Sequence, residues 1–247
     1  MANQFDERTR MGFDPAATTS VPRAARDAGL RKYMLSVYNY MASGVLLTGI
    51  VAMLFYSSGM AASVFMGGGI LPWVIILSPL AIIFAMSFGQ NRMSTGTLQL
   101  MFWGFATLMG LSMSTIFLRY TGISIAQTFF AVTAAFAGLS LWGYTTKKDL
   151  SGWGTFLIMG VVGLLVAMLL NAFVFQSGAM SLAISAIGVL IFAGLTAYDT
   201  QKIKSIYNYV ARDANLMQRA IIMGALNLYL DFINMFQFLL SFMGSQE

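Results

Sequence analysis

The chain has 247 residues, of which 58% are hydrophobic and only 9% charged, against about a quarter charged in an ordinary soluble domain. Without a single Cys or His it can build no disulfide framework, no thiolate metal site, no Ser/His catalytic pair and no histidine switch. The net charge of +5 would suggest nucleic acid in a soluble protein, but here the placement of basic residues is better explained by membrane topology, and no nucleic-acid partner is expected.

Residues 1–32 are polar and contain Pro15, Pro22 and dispersed charges of both signs. They read as a cytoplasmic arm, too long and too mixed in sign for the n-region of a signal peptide, so no cleavage is expected. After the arm, no Asp, Glu, Lys or Arg occurs in 33–91, 93–118, 120–146 or 150–198. Roughly 20 apolar residues cross a bilayer as a helix, so the first and last of these runs are long enough to cross twice.

Seven transmembrane helices are expected, at 33–56, 71–89, 97–118, 123–144, 152–173, 180–201 and 220–243, followed by a short tail, 244–247. Gly67-Gly68-Gly69, Thr121-Gly122, Ser151-Gly152 and Ser177-Gly178 punctuate the loops. Pro79 falls inside the second span and should kink it. Continuous apolar runs, in place of alternating ten-residue ones, exclude a β-barrel reading. The fold class is therefore an all-α integral membrane protein with a seven-helix domain over 33–243.

With the arm in the cytoplasm, Arg92, Lys147, Lys148, Lys202, Lys204, Arg212 and Arg219 fall on the same side as the six basic residues of the arm, and only Arg119 lies opposite. That asymmetry orients the N-terminus inside and, after seven spans, the C-terminus outside.

Two acidic residues remain at membrane depth, Asp199 in the sixth span and Asp231 in the seventh. Their midpoint is residue 215, in the polar turn 212–215, so a hairpin folding there brings both to one level. Asp231 lies 12 residues past Arg219, about 18 Å along a helix and well inside the hydrocarbon. On the seventh span Gly224, Asn227, Asp231, Asn234 and Ser241 share an arc of about 100°. On the sixth, Ser181, Ser185, Gly188, Thr196 and Asp199 share a face whose small residues permit close approach.

Two carboxylates meeting at low dielectric cannot both ionise cheaply and tend to share one proton, which makes the pair a proton sensor. The same oxygens, with Asn227, Asn234 and Thr196 in support, suit transient coordination of a hard cation such as Ca²⁺. A blander reading makes Asp199 an interfacial ion pair with Lys202, three residues on; Asp231 has no basic neighbour in its own helix. Small-residue pairs Ala106/Gly110 and Ala134/Gly138 are packing signals only.

The segments 188–204 (GVLIFAGLTAYDTQKIK) and 224–236 (GALNLYLDFINMF), with 143–150 (GYTTKKDL) and 33–41 (YMLSVYNYM), resemble the Bax inhibitor-1 family, also called the transmembrane BAX inhibitor motif family. The resemblance covers nearly everything after the arm. It implies seven helices with the last enclosed by the other six, and a pH-dependent Ca²⁺ leak gated by two aspartates, here Asp199 and Asp231. Ca²⁺ is then the transported ion, not a cofactor, and no cofactor is expected. Some members carry an arginine in the second span that can pair with these carboxylates. No basic residue lies between Lys32 and Arg92 here, a departure from that pattern.

Bacterial relatives are linked to control of a membrane-anchored AAA protease, which makes a regulatory scaffold in a bacterial inner membrane the alternative function. An intramembrane aspartyl protease would also use two aspartates on facing helices. Tyr198-Asp199 fits that pattern, but Leu228-Tyr229-Leu230-Asp231 replaces its Gly-x-Gly-Asp motif, so the chain is not expected to be an enzyme.

Overall fold

A computed structural model describes residues 23–245, in which every regular element is helical. In chain order these are α1 (Arg23–Ser57), α2 (Met60–Met66), α3 (Leu71–Gly89), α4 (Thr95–Met113), α5 (Gly122–Thr145), α6 (Trp153–Leu170), α7 (Gly178–Val210) and α8 (Ala214–Met243). A 3₁₀ turn, Ser114–Leu118, extends α4, and a π turn, Asn171–Phe175, extends α6. Seven of these helices are long and apolar enough to cross a membrane; α2 is too short.

The spans agree with the charge-free runs, but three helix ends differ. The first helix begins at Arg23, ten residues before Tyr33, because Ala24, Ala25, Ala28 and Leu30 are strong helix formers and carry it out beyond the apolar stretch. Part of the segment read as an arm is thus helical, while residues 1–22 lie outside the described residues. The sixth span runs on to Val210. The seventh begins at Ala214, where the Asp213 carboxylate accepts the N–H groups of Asn215 and Leu216 at 2.8 and 3.0 Å.

Turn chemistry explains the remaining ends. Ser94, Thr121 and Ser177 cap α4, α5 and α7 by accepting an N–H from the first turn. Between α6 and α7 the chain reverses at Gln176, a left-handed residue at φ 47°. Asn171 holds that reversal from both sides: its Oδ1 accepts the Ser177 N–H at 3.0 Å and its Nδ2 donates to Ser181 Oγ at 2.7 Å.

Pro79 sits buried within α3, which remains one unbroken helix around it. The ring removes the N–H that would have bonded the Ile75 carbonyl. That carbonyl instead accepts Ser112 Oγ of α4 at 2.8 Å and Ser78 Oγ at 3.1 Å, the repair expected where no water is at hand.

The core is organised around α8. This helix packs most extensively on α7 and then on α1, α5 and α4, and Ile222, Ala225, Leu226, Leu228, Tyr229 and Met235 of it are almost wholly buried. The outer helices α3 and α6 stack chiefly on α4 and α7. The last helix is thus largely buried, held by four neighbours with two more outside them. Helices α1 and α5 both rest on α8 without closing on each other, and leave a cleft floored by Phe232.

The two ends of α8 lie at opposite ends of the bundle. Near its start, Arg219 Nη1 donates to the carbonyls of Gln90 and Asn91, where α3 ends, at 3.0 and 3.3 Å. Past its end, the Ser245 carbonyl accepts the Thr121 N–H at 3.3 Å and the Ser245 N–H donates to Ser124 Oγ at 3.1 Å, at the start of α5. The helix therefore crosses the whole bundle and does not enter and return.

Candidate functional site

The α7/α8 contact holds both acidic residues singled out by the sequence. Asp231 is 3% exposed, and its buried Oδ2 has no hydrogen-bond partner among the described residues. Asp199, across the contact, is partly accessible and lies within electrostatic range of Asp231. An unpartnered carboxylate oxygen in a membrane interior is a position that ordinary packing would not retain, since a buried polar group without a partner is costly.

Close helix approach makes this possible. A Cβ on Gly224 would stand 3.3 Å from the Ile203 side chain of α7, and one on Gly188 would meet the Phe238 ring of α8 at 2.6 Å. On the other side of α7, a Cβ on Gly143 would lie 2.4 Å from the Ala197 carbonyl oxygen, so α5 presses directly on the backbone two residues from Asp199.

The supporting polar residues are placed as follows. Thr196 is fully buried one turn from Asp199, and its hydroxyl donates to the Phe192 carbonyl at 2.8 Å. Asn234 is half-buried, one turn from Asp231, and its Nδ2 donates to the Leu230 carbonyl at 2.8 Å, which leaves the amide oxygen to accept. Asn227 is half-buried one turn on the other side. Thr196 thus donates its hydroxyl proton, and Asn234 one of its two amide protons, to its own helix, which leaves each with an oxygen able to accept. Among the described residues no group of three or more His, Cys, Asp or Glu side chains comes together. Any cation here would meet two carboxylates plus neutral oxygens, a donor set that suits Ca²⁺ in transit better than a tightly bound metal.

Lys202 lies within electrostatic range of Asp199 and also meets an aromatic ring. Its Nζ lies over the Tyr198 ring, 5.8 Å from the centroid, at the edge of a pocket of about 290 Å³ that also holds Lys147, Lys148 and Asp149. Lys204 Nζ donates to the Tyr144 carbonyl at 2.6 Å and lies 4.8 Å from the centroid of that ring.

Sequence reading passed over two polar contacts. Thr200, fully buried next to Asp199, donates to Ser140 Oγ of α5 at 3.5 Å. On the far side of α8, Tyr229 Oη and Thr48 Oγ1 are 2.6 Å apart, and the threonine hydroxyl donates to the Ala106 carbonyl at 2.8 Å, which links α8, α1 and α4. Thr200 stands about 100° around the helix from Asp199 and turns toward α5, so the face drawn through Asp199 did not include it. Nothing in the spacing pairs residues 48 and 229. Of the two small-residue motifs, Ala106/Gly110 marks this close α1 contact, where a Cβ on Gly110 would lie 2.8 Å from the Thr48 carbonyl; Gly138 of the other faces open space.

Comparisons with known proteins agree with this architecture. The model of the family described as "Inhibitor of apoptosis-promoting Bax1" matches residues 30–247. An uncharacterized protein of Rickettsia prowazekii is 44% identical over 95% of this chain and 98% of its own length. An uncharacterized protein of Caulobacter vibrioides is 46% identical over 90% and 91%. The inner membrane protein YbhL of Escherichia coli is 40% identical over 89% of this chain and 94% of its own. A family match over both aspartate segments and all seven spans, joined to relatives of the same length, makes this chain a member of the Bax inhibitor-1 family of multi-pass membrane proteins.

Proposed function

We propose that the protein is a pH-sensitive leak pathway for Ca²⁺, gated by protonation of the Asp199/Asp231 pair. The observation that carries this reading is the buried Asp231 Oδ2, without a hydrogen-bond partner among the described residues and within electrostatic range of the Asp199 carboxylate on the neighbouring membrane helix. Protons and cations compete there for the same oxygens. Asn227, Asn234 and Thr196 supply neutral oxygens to a passing ion, and no step of catalysis is assigned to the pair.

The inner-membrane description of the Escherichia coli relative supports a bacterial inner membrane as the location. The orientation is N-terminus inside and C-terminus outside, supported by the basic residues at one end of the helices and the single Arg119 at the other. Reporters fused after Lys148 and within 205–218 are expected in the cytoplasm and one after Gly178 outside; a cytoplasmic reporter at 178 would reverse the orientation.

The mechanism is tested by Ca²⁺ flux from proteoliposomes holding the purified full chain, measured across pH. Flux that varies with pH in the wild type, and loses that variation in Asp199→Asn and Asp231→Asn, is the expected result. An unchanged pH profile in both variants would remove the pair from gating. Wild-type protein giving no flux above empty vesicles at any pH would favour the second role, a scaffold that modulates a membrane-anchored AAA protease.

A further inference from the structure

A deep cleft lies between α1 and α5. It encloses about 940 Å³ and is lined almost entirely by apolar side chains, with Phe232 of α8 as its floor. In a bilayer such a cleft opens sideways onto lipid, and a dry void would forfeit the dispersion contacts of every side chain along it. The charged side chain of its lining lies at one end. There Arg31, Tyr38 and Tyr144 join the wall, and Lys204 is drawn onto Tyr144 through its carbonyl and ring.

We propose that this cleft is a binding site for an anionic phospholipid, with one acyl chain seated between α1 and α5 and the phosphate at Arg31. The cleft wall on α1 runs from Arg31 to Met53, about 33 Å at 1.5 Å per residue and about the full hydrocarbon core of 30 Å, so a lipid anchored at Arg31 fills the half of the cleft on its own side of the membrane, down to about Ala42. Tyr38 and Tyr144 stand near the charged end, as amphipathic rings do at a membrane interface. Positive charge at that mouth selects a phosphate of net negative headgroup over a zwitterionic one. The seated chain covers Phe232, the neighbour of Asp231, and passes Ser140, which accepts the Thr200 hydroxyl beside Asp199.

Lipid retention reads this out independently of ion flux, so failure here and failure of the leak reading are separate results. The full chain in detergent is given equal amounts of phosphatidylglycerol and phosphatidylcholine, and the bound lipid is counted by native mass spectrometry. Wild type is expected to keep one phosphatidylglycerol in preference. Arg31→Gln is expected to cut that preference on the order of fivefold, the effect of one basic residue at an anionic surface. Ala42→Trp, which places a large ring in the cleft from an exposed position, is expected to lower retention of both lipids. Ile158→Trp on the outer face of α6, where the native side chain is 58% exposed, should leave retention at the wild-type level. Equal retention of the two lipids by wild type, or undiminished retention in Ala42→Trp, would overturn the proposal. So would a wild-type dimer that Ala42→Trp turns into monomer, since the cleft would then belong to a second copy.

Discussion

Helices α6 and α8 invert the rule that holds in water. The most apolar span of the protein, α6, has only 17% of its central stretch buried, whereas the much less apolar α8 has 67% buried. In a soluble protein the apolar helix would be inside. In a bilayer the surrounding solvent is itself apolar, so burial no longer sorts by hydrophobicity; it sorts by which helix has polar groups that must be kept from lipid. Helix α8 has such groups on two sides, Asp231 toward α7 and Tyr229 toward α1 and α4.

The largest expected effect comes from exchanging the two environments. Ile158→Asp puts a carboxylate on the lipid face of α6 and should cost about 2.5–3.5 kcal/mol of membrane insertion, measurable as the inserted fraction of the fifth span, 152–173. Asp231→Asn in α8 should leave insertion of that helix unimpaired. Equal insertion of Ile158→Asp and wild type would break the comparison.

A smaller effect tests the packing behind it. Gly143→Ala forces a methyl against the Ala197 backbone oxygen and should destabilise by about 1–3 kcal/mol, as overpacking does. Gly163→Ala in α6, where an added Cβ meets nothing within 4 Å, should fall within about 0.5 kcal/mol of wild type. Unfolding of the two variants in the same detergent gives the difference directly.

Tyr229→Phe removes one partner of a buried interhelical hydrogen bond, and about 0.6–1.7 kcal/mol is expected from such bonds within membranes. The loss is limited because Thr48 keeps its bond to Ala106. A double cycle with Thr48→Val would isolate the pair, and a coupling near zero would show that α8 is buried for its bulk alone.

The smallest effect lies at the entry to α6. Hydrogen bonds from Ser151, side chain first and then backbone, hold the Asp149 carboxyl below its usual value of 3.8. A lowered carboxyl pKa stabilises the folded turn above the unfolded pKa, and that contribution fades as pH falls through the folded value. Amide exchange at Ser151 should be faster in Asp149→Ala than in wild type at pH 7, with the gap narrowing under acid. A gap that widened toward low pH would show the sign to be wrong.

Most of the fold was legible because lipid imposes one simple demand: a charge-free stretch of sufficient length and a loop with turn residues at each end. The ends that differed lie where that demand stops. Residues 23–32 and 202–210 are charged yet helical, since propensity and contacts outside the hydrocarbon decide there, such as Arg26 Nη2 donating to Asn208 at 2.6 Å and the tilted ring pair Tyr33/Tyr207 at 5.4 Å. Helix α2 is too short to leave a periodic signal. For the site, the midpoint at residue 215 was enough to bring Asp199 and Asp231 together, because an antiparallel hairpin fixes its own register. The Thr48/Tyr229 pair and the α1/α5 cleft were not legible: one joins residues with no shared hairpin, and the other is made by two helices that fail to meet.

Pro79 has a consequence for how the outer layer is fastened. A regular helix commits one lone pair of nearly every backbone oxygen along its own axis and leaves only the other for a neighbour. By deleting one donor, the proline hands the Ile75 oxygen to Ser112 of the next helix, so a local defect in α3 becomes a strap between layers. Replacing Pro79 with alanine would perfect the helix and loosen its attachment at the same stroke.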